Sequence, residues 1–505
     1  MPAIITNKFR RHNASQFVES FSETANTVYY MGLGRPQPFS TATRGDSRTD
    51  NEGTDTSPLT PVDSIQEEFY SFDDILAAKR IVTSDVSFAI PRRNWATGTI
   101  YDYYRHDYGN RVTGGTTTQT ANSGATNLFD ATFYVLNSNN NVYKVLDNNG
   151  NAQSTVEPTG TSTSILTTGD GYKWKYMYSI SASDVIKFVT SDFIPVKTIG
   201  AKAAVDGEAS GGGLNQTASD DLSTQWDVEN AAVDGSIEHA RVTTGGSNYG
   251  ANGTSNVAIS GDGQNGSLTV TVASGVITSV SINNVGSGYS VASIDNALLR
   301  TATSSSGTGA VFDIIISPKN GHGSDAVEEL GGNYVIVNSR LEYAEGSGDF
   351  PTDNDFRQIG LIAKPTNKGG NVLSTASTLS ALNKFTMSSG ATMPTVDDFI
   401  ANAGTVASGT AVGRVVSVDA TNRHIFYLPA VDSVGNFNDF ANGNTIHAGS
   451  ALGSLASKGT IASSGIDAAY PEVQRNSGDI VYLENRGAVA RAADQIEDIK
   501  LIIEM

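Results

Sequence analysis

The stretch of sequence that decides the fold reads Tyr172-Lys173-Trp174-Lys175-Tyr176-Met177-Tyr178. Large aromatic residues alternate here with Lys and Met, and a period of two is typical of a β-strand. The alternation predicts that the four aromatic side chains share one face of the strand. Upstream, residues 133–136 and 142–146 flank an Asn-rich turn, which predicts a β-hairpin.

The composition extends this β-character to the whole chain. Of 505 residues, 52 are Gly, and charged residues make up 17%, against about 25% in an ordinary soluble domain. Short apolar runs separated by Gly, Ser and Asn predict many strands joined by loops. Two helices are also predicted, over residues 13–23 and from Ser64, where Ser64 and Glu67 fit a capping box. We therefore predict an α+β fold dominated by β-structure.

The charge and the lack of cysteine restrict the partners. The net charge is −19, and its field repels nucleic acid and anionic membranes, so neither is predicted as a partner. No apolar run approaches the ~20 residues of a membrane span. Without cysteine there are no disulfides, thiolate metal sites or Cys nucleophiles. The N-terminus lacks the pattern of a signal peptide, so we expect folding in the cytoplasm.

Sequence motifs of catalysis are absent. Neither the P-loop pattern nor the His-Glu-x-x-His pattern occurs, and the six histidines show no metal spacing. We therefore predict no catalytic residue, metal site, cofactor, small-molecule substrate or enzyme activity. The acidic pairs 67–68 and 73–74 are interpreted as a solvated helix face. The loops 147–151 and 262–265 could hold calcium, but turns explain them more simply. The tyrosine-rich stretch 101–108 is interpreted as an interface or a partly buried edge strand.

The middle of the chain contains an internal repeat. Residues 235–249 align without gaps on residues 275–289. Two apolar positions, Ala240 and Val242, recur in the second copy, so both copies keep the same apolar face. Two units are too few for a solenoid, which predicts a small inserted β-module. Residues 366–470 are again rich in Gly, Ala, Ser and Thr, contain a predicted hairpin, and are interpreted as a second insertion.

Six stretches, in order along the chain, resemble one family: the dimeric baseplate wedge subunit of contractile-tailed, T-even-like bacteriophages. The sharpest is 89–95, which holds Pro91, Arg92, Arg93 and Trp95. The others are 5–10, expected as an opening strand, with Arg10; 32–39 with Arg35; 169–176 with Asp170, Tyr172 and Trp174; 356–359 with Arg357; and 477–486 with Glu484, Asn485 and Arg486.

This resemblance implies two layered β/α sandwich domains, the first discontinuous, and two small all-β insertions. Domain I would comprise residues 1–90, 321–365 and 471–505, and the β-rich domain II residues 91–205. The Gly-rich repeat module would span 206–320 and the second insertion 366–470. The resemblance also implies a homodimer that is assembled in the host cytoplasm and packs against other wedge proteins in the virion tail baseplate.

The matched residues are candidate interface or structural positions. Pro91 sets an extended entry for Arg92 and Arg93. Their planar guanidinium groups suit carboxylates at an interface, or they brace the junction of two domains within one subunit, and both interpretations stay open. Asp170 lies in a tight turn before the aromatic strand, which is expected in the core. Residues 484–486 are interpreted as a polar loop, where a local turn is favoured over an intersubunit salt bridge.

The alternative function is a tail-associated protein that binds or degrades carbohydrate. Gly/Thr/Asn-rich β-modules and aromatic clusters also suit contact with sugars. Ordered motifs on both sides of the insertions favour the wedge subunit, whereas a sugar-degrading enzyme is expected to show a β-helix pattern or a convincing carboxylate pair. A third possibility is that only the insertions contact host glycan.

Overall fold

The computed structural model describes residues 4–23, 27–40, 52–110, 120–199, 223–342, 354–490 and 495–505. Strands hold 42% of the residues and helices 13%, which confirms the prediction of a β-dominated α+β fold. In this part of the chain the α-helices are α1 (Asn7–Ser20), α2 (Ile65–Asp74), α3 (Ala182–Phe188), α4 (Ser223–Asn230), α5 (Asn296–Ala302) and α6 (Ala326–Leu330), and 3₁₀ turns span Thr83–Asp85, Leu128–Asp130 and Val406–Ser408.

The strands follow one another in short segments. In chain order they are β1 (Tyr29–Gly34), β2 (Gly53–Thr54), β3 (Ser57–Pro58), β4 (Ile75–Ile81), β5 (Val86–Pro91), β6 (Tyr134–Leu136), β7 (Asn141–Asp147), β8 (Leu166–Thr167), β9 (Lys173–Ser179), β10 (Phe193–Val196), β11 (Ile237–Ser247), β12 (Gly253–Ala258), β13 (Ser260–Gly261), β14 (Ser267–Ala273), β15 (Val276–Asn284), β16 (Ala292–Ser293), β17 (Thr308–Ile316), β18 (Tyr334–Leu341), β19 (Asp355–Ala363), β20 (Thr378–Ser380), β21 (Asn383–Met387), β22 (Phe399–Ala401), β23 (Val412–Asp419), β24 (His424–Ala430), β25 (Thr445–Ala451), β26 (Ser454–Ile466), β27 (Asp479–Ala490) and β28 (Glu497–Glu504).

The chain folds into two compact units, and each is built from separated stretches of sequence. Unit 1 comprises Met1–Ser15, Ser87–Ile336 and Ile502–Met505, and unit 2 comprises Gln16–Val86 and Val337–Leu501. One four-stranded sheet has the order β10-β5-β18-β28. In the described part of the chain, no helix has both the length and the apolar character needed to cross a membrane.

Local capping explains where the first two helices begin. The Thr6 hydroxyl accepts a hydrogen bond from Phe9 N at 3.3 Å, and α1 starts at Asn7. The opening strand expected over residues 5–10 is therefore wrong, because a capping threonine starts a helix there. The predicted cap of α2 is confirmed, since Ser64 Oγ accepts from Glu67 N at 3.2 Å.

The aromatic strand is β9, in the unit 1 sheet of order β6-β7-β9-β8. The predicted hairpin is confirmed by the antiparallel pairing of β6 with β7. In the next pairing, Val142 faces Tyr178 and Tyr143 faces Tyr176, so Met177 is an extra residue. This β-bulge turns Tyr178 into a different core cluster from the other aromatic residues. The prediction of four aromatic side chains on one face is thus wrong at Tyr178.

The stretch 101–108 forms no strand, so its interpretation as an edge strand is wrong. Tyr101 and Tyr104 are 4% and 2% exposed. Tyr101 instead packs its ring against Trp174 with centroids 6.1 Å apart. The stretch is held by core contacts of its rings rather than by ladder pairing.

The internal repeat forms a β-module within unit 1, made of the sheets β11-β17, β12-β14-β15 and β13-β16. The two matching tyrosines, Tyr249 and Tyr289, are buried in two separate clusters. Glycines surround each ring: a Cβ atom on Gly307 would lie 2.2 Å from the Tyr249 ring, and one on Gly263 would lie 2.4 Å from the Tyr289 ring. The Gly-rich composition of the module therefore follows from close packing of backbone on two tyrosine rings.

Unit 2 combines an open sheet with a closed barrel. The sheet has the order β20-β4-β1-β19-β27, and the barrel has the order β21-β24-β23-β22-β25-β26. The hairpin predicted in this region is confirmed by the pairing of β23 with β24. Phe385, Tyr427 and Phe440 fill the barrel, with ring centroids between 5.3 and 5.6 Å apart.

Residues 484–486 lie within strand β27 and not in a loop, so that prediction is wrong. The pairing of β27 with β19 shows why the sequence misleads here. Val489 faces Phe356 and Asn485 faces Gln358, so extra residues of β27 bulge opposite Arg357. Glu484 and Asn485 are paired with β19, and Arg486 and Gly487 belong to the bulge rather than to a turn.

Replacement of Phe385 by alanine should destabilise the barrel by about 3–5 kcal/mol, because a fully buried ring leaves a cavity. Hydrogen exchange should become faster in β21 to β26 while β11 to β17 keep their protection. Ile65→Ala is the control, since this side chain is 74% exposed. Unchanged exchange in the barrel strands of the Phe385 variant would contradict the assignment of this core.

Candidate functional site

Three of the sequence motifs lie on neighbouring strands of the unit 2 sheet. Gly34 of β1 faces Gln358 of β19, which in turn faces Asn485 of β27. Gln358 Nε2 donates to Asn485 Oδ1 at 2.8 Å, and Asn485 Nδ2 donates to the Leu59 carbonyl at 3.1 Å. Residues more than 400 positions apart in the sequence thus form one cross-strand row.

Arg35 is a buried cation that follows β1. Its side chain is 1% exposed, and its Nη2 atom lies 2.6 Å from Glu52 Oε2. Its Nη1 atom lies 3.5 Å from Asp74 Oδ2. The guanidinium also stands over the Phe39 ring, 5.3 Å from its centroid. Because a buried charge without a partner is costly, these two carboxylates fix the loop that carries Arg35.

Arg357 of β19 binds the same loop region. Its Nη1 donates to the Pro36 carbonyl at 2.6 Å, and its Nε lies 3.0 Å from Asp55 Oδ2. Its Nη2 donates to Asp355 Oδ2 at 2.9 Å. The guanidinium is 4% exposed, so these contacts use its donors away from solvent.

The interpretation of residues 73–74 as a solvated helix face is wrong. Asp73 is 8% exposed and Asp74 is fully buried. Asp73 accepts from Arg475 Nη2 at 2.7 Å, while Asp74 pairs with Arg35. The end of α2 turns inward at β4, and paired arginines let the two carboxylates be buried.

In unit 1, the motif around Pro91 and the motif around Asp170 meet through one serine. Trp95 Nε1 donates to Ser154 Oγ at 3.0 Å, and Ser154 Oγ donates to Asp170 Oδ2 at 3.2 Å. The Pro91 carbonyl accepts from Tyr134 Oη at 2.7 Å. Both motifs therefore lie in one connected hydrogen-bond network.

Arg92 and Arg93 donate to main-chain carbonyls within unit 1. Arg92 Nη1 reaches the Thr190 carbonyl at 2.7 Å, and Arg93 Nη2 reaches the Phe129 carbonyl at 3.0 Å. Arg93 also stands over the Tyr134 ring, 4.7 Å from its centroid. These contacts use some of the N–H donors of each guanidinium group.

Asp170 is the acceptor that organises the turn before β9. Its two oxygens accept from the main-chain N–H groups of Thr155, Val156 and Tyr172 at 2.8–3.2 Å, and from hydroxyl groups. Partial burial opposes ionisation, but these hydrogen bonds, with that from Thr168, outweigh it and lower the pKa of Asp170 to about 2. The turn delivers Tyr172 and Trp174, both fully buried, whose rings stack 5.3 Å apart.

The remaining motif residues lie closer to solvent. Arg10 of α1 pairs with Glu504 of β28 at 3.0 Å, with both side chains exposed. Tyr482 donates its hydroxyl to Glu484 Oε2 at 3.0 Å. Within the described ranges Arg486 has no ion-pair partner. The structure therefore separates the candidate residues into buried anchors and a more exposed set on β27 and α1.

A buried charge cluster in unit 1 has no counterpart in the sequence motifs. Lys144 of β7 is fully buried, and its Nζ lies 2.7 Å from Glu238 Oε2 and in contact with Glu329 Oε1. His322 Nδ1 lies 3.2 Å from Glu329 Oε1. Tyr104 presents its ring to Lys144 Nζ at 4.4 Å. The residues come from four distant segments, so no local spacing could have revealed them.

Electrostatics keep this cluster ionised. Burial works against charge, but the Lys144 ammonium outweighs it and lowers the pKa of both Glu238 and Glu329. The two carboxylates in turn raise the pKa of Lys144 against its own burial. Burial and the nearby ammonium lower the pKa of His322. The cluster is thus held as one cation between two anions.

The same residues offer the donor types of a metal site. Ligand atoms of Glu238, His322 and Glu329 lie within 4.8 Å of one another. The ammonium of Lys144 already lies between the carboxylates, in the place that a divalent cation would take. The arrangement therefore fits a structural ion pair rather than metal chemistry.

The two oxygen-rich loops also use their carboxylates internally. Asp147 accepts from Asn149 N at 2.9 Å and contacts His239 Nε2 at 2.8 Å. Asp262 accepts from the main-chain N–H groups of Ser290 and Val291 at 2.9 and 3.0 Å. Both carboxylates therefore act as turn and loop acceptors.

The motif residues of both units thus hold neighbouring strands and loops in place. Residues 3–145 match the family model Phage-Gp8, described as Bacteriophage T4, Gp8. The match covers the first three of the six motif stretches and supports a T4-like baseplate wedge subunit, and with it a structural component of the phage baseplate. No match was found among the curated proteins.

Replacement of Lys144 by methionine should destabilise unit 1 by about 3–5 kcal/mol, because two buried carboxylates lose their cation. Thermal unfolding measures the loss of stability, and faster hydrogen exchange in β7 and β11 locates it in unit 1. Lys197→Met is the matched control, since Lys197 is 41% exposed beside Asp184 and its pair should contribute less than about 1 kcal/mol. Equal effects of the two variants would contradict the role of the cluster.

The stability difference between wild type and Lys144→Met should shrink on acidification from about pH 7 to pH 5. In the wild type, the lowered pKa values of Glu238 and Glu329 give stability that is present above about pH 4.3 and lost as the pH falls further. In the variant the carboxylates lose the Lys144 ammonium, so burial, which raises both pKa values, is opposed only by Lys175 at Glu238 and by His322 at both, and protonation relieves part of the cost of burying them as the pH falls. Unfolding midpoints of both proteins, measured across this pH range, give the stability difference at each pH. A difference that stays constant with pH would contradict the prediction.

Proposed function

We propose that the chain is a structural subunit of a phage tail baseplate wedge that works by protein–protein assembly, as a homodimer and with other wedge subunits. The match of residues 3–145 to the Gp8 family carries this proposal. The contacts of the motif residues support it, because Arg35, Arg357 and Asp170 maintain a rigid scaffold. The subunit would be assembled in the host cytoplasm and end in the tail baseplate.

The same proposal includes the domain boundaries implied by the resemblance. The repeat module and the barrel each have their own buried clusters, which supports their interpretation as insertions. Long additions of this kind are tolerated when they leave the surrounding core intact. They would add surface to the subunit without a role in chemistry.

Charge pairing also supports a structural rather than an enzymatic role. Three deeply buried carboxylates, Asp74, Glu238 and Glu329, are each engaged by a cation, and a fourth, Asp102, accepts hydrogen bonds from Ser123 and Thr132. A carbohydrate-degrading protein would need a pair of carboxylates with separated roles and access to substrate. Release of oligosaccharide from host surface polysaccharide would favour that alternative.

Native mass spectrometry of the isolated full chain should show a stable dimer. Mixing with purified baseplate wedges that lack this subunit should then give a complex that survives size-exclusion chromatography. A strict monomer or a trimer would overturn the homodimer. Failure to enter wedges, with dimer formation intact, would overturn the wedge assignment.

A further inference from the structure

Strand β27 is solvent-accessible along its whole length although its neighbour is almost completely buried. In β19 every residue except Asp355 is buried, whereas none of the 12 residues of β27 is. Apolar side chains occupy its first half, and Val481 is 49% exposed. Apolar residues that remain exposed on the last strand of a sheet indicate a surface that another protein can cover.

The position of β27 in the sheet gives a specific way to complete it. It is the last strand in the order β20-β4-β1-β19-β27, and among the described residues it pairs only with β19. The outer edge of such a strand carries main-chain donors and acceptors that can pair with another strand. A partner that adds a strand there would satisfy these groups.

The sequence of β27 is complementary to itself when two copies run antiparallel about Asn485. This register places Glu484 opposite Arg486 twice, once on each side of the axis. Farther from the axis, extra residues of β27 opposite Arg357 and at Val481 interrupt the regular alternation, so the charged pairs beside Asn485 define the register.

Neighbouring registers lose this complementarity. A shift that keeps the same faces puts Glu484 opposite Glu484 in one direction and Arg486 opposite Arg486 in the other. Like charges directly opposite each other destabilise a strand pair. A shift of one residue reverses the faces of every side chain. The register about Asn485 is therefore selected by the charges of Glu484 and Arg486.

We propose that β27 pairs antiparallel with β27 of a second copy of this chain, with Asn485 at the two-fold axis. This inference rests on the proposed homodimer and assigns its interface. Two five-stranded sheets would become one continuous sheet across the dimer. Leu59, which is 53% exposed and accepts from Asn485 Nδ2, would be covered beside the axis.

Cysteine cross-linking tests the axis, because the native chain contains no cysteine. Asn485→Cys in the full chain should give a covalent dimer on mild oxidation or with a short bis-maleimide, since only a residue at the axis meets its own copy. Asp227→Cys, exposed on α4, is the control and should remain monomeric on denaturing gels.

A charge exchange tests the pairing independently. Glu484→Arg and Arg486→Glu should each raise the dimer dissociation constant about tenfold or more, because both symmetric pairs become repulsive. The double variant should return to within about threefold of wild type, since the pairs are restored in reverse. Glu342→Arg, at an exposed pair with Arg340, should leave the dimer unchanged.

The results separate this inference from the proposed function. A wild-type dimer that fails to cross-link at position 485 and ignores the charge exchange would overturn the β27 interface and leave the homodimer standing. A wild-type monomer would overturn both. Cross-linking at 485 together with rescue by the double variant would support the interface.

Discussion

Three buried cations of this protein are paired with carboxylates that come from other segments of the sequence. Lys144 requires Glu238 and Glu329, Arg35 requires Glu52 and Asp74, and Arg357 draws on Asp55. A buried ion that loses its partner costs several kcal/mol, so each pair links segments that could otherwise separate. Of these pairs, Arg357 with Asp55 joins the two sequence stretches that make up unit 2, Gln16–Val86 and Val337–Leu501.

The strands around these pairs are shaped by local departures from regular pairing. The bulge at Met177 sends Tyr178 into one core cluster while Trp174 and Tyr176 remain in another. The glycines around Tyr249 and Tyr289 let backbone pack directly on aromatic rings. At Met177 a single extra residue decides which core an aromatic side chain fills, because side chains alternate between the faces of a sheet.

A scaffold of this kind suits a subunit whose work is assembly. The motif residues of unit 2, Arg35, Arg357 and Asn485, make internal contacts beside the sheet β20-β4-β1-β19-β27. The strand at its end, β27, is the least buried part of that sheet. A rigid sheet with one accessible edge can join another sheet without a change of fold, which limits the entropy lost on association.

The sequence by itself determined the β-dominated class, the cap at Ser64, both hairpins, the repeat and the family resemblance. These depend on residues close together in the chain or on patterns of period two, which local physics fixes. Only the tertiary structure decided that residues 73–74 are buried, that Tyr178 changes face, that 484–486 lie in a strand, and that Lys144 meets two carboxylates. Each of these depends on contacts between distant segments, and burial and charge pairing arise only when those segments meet.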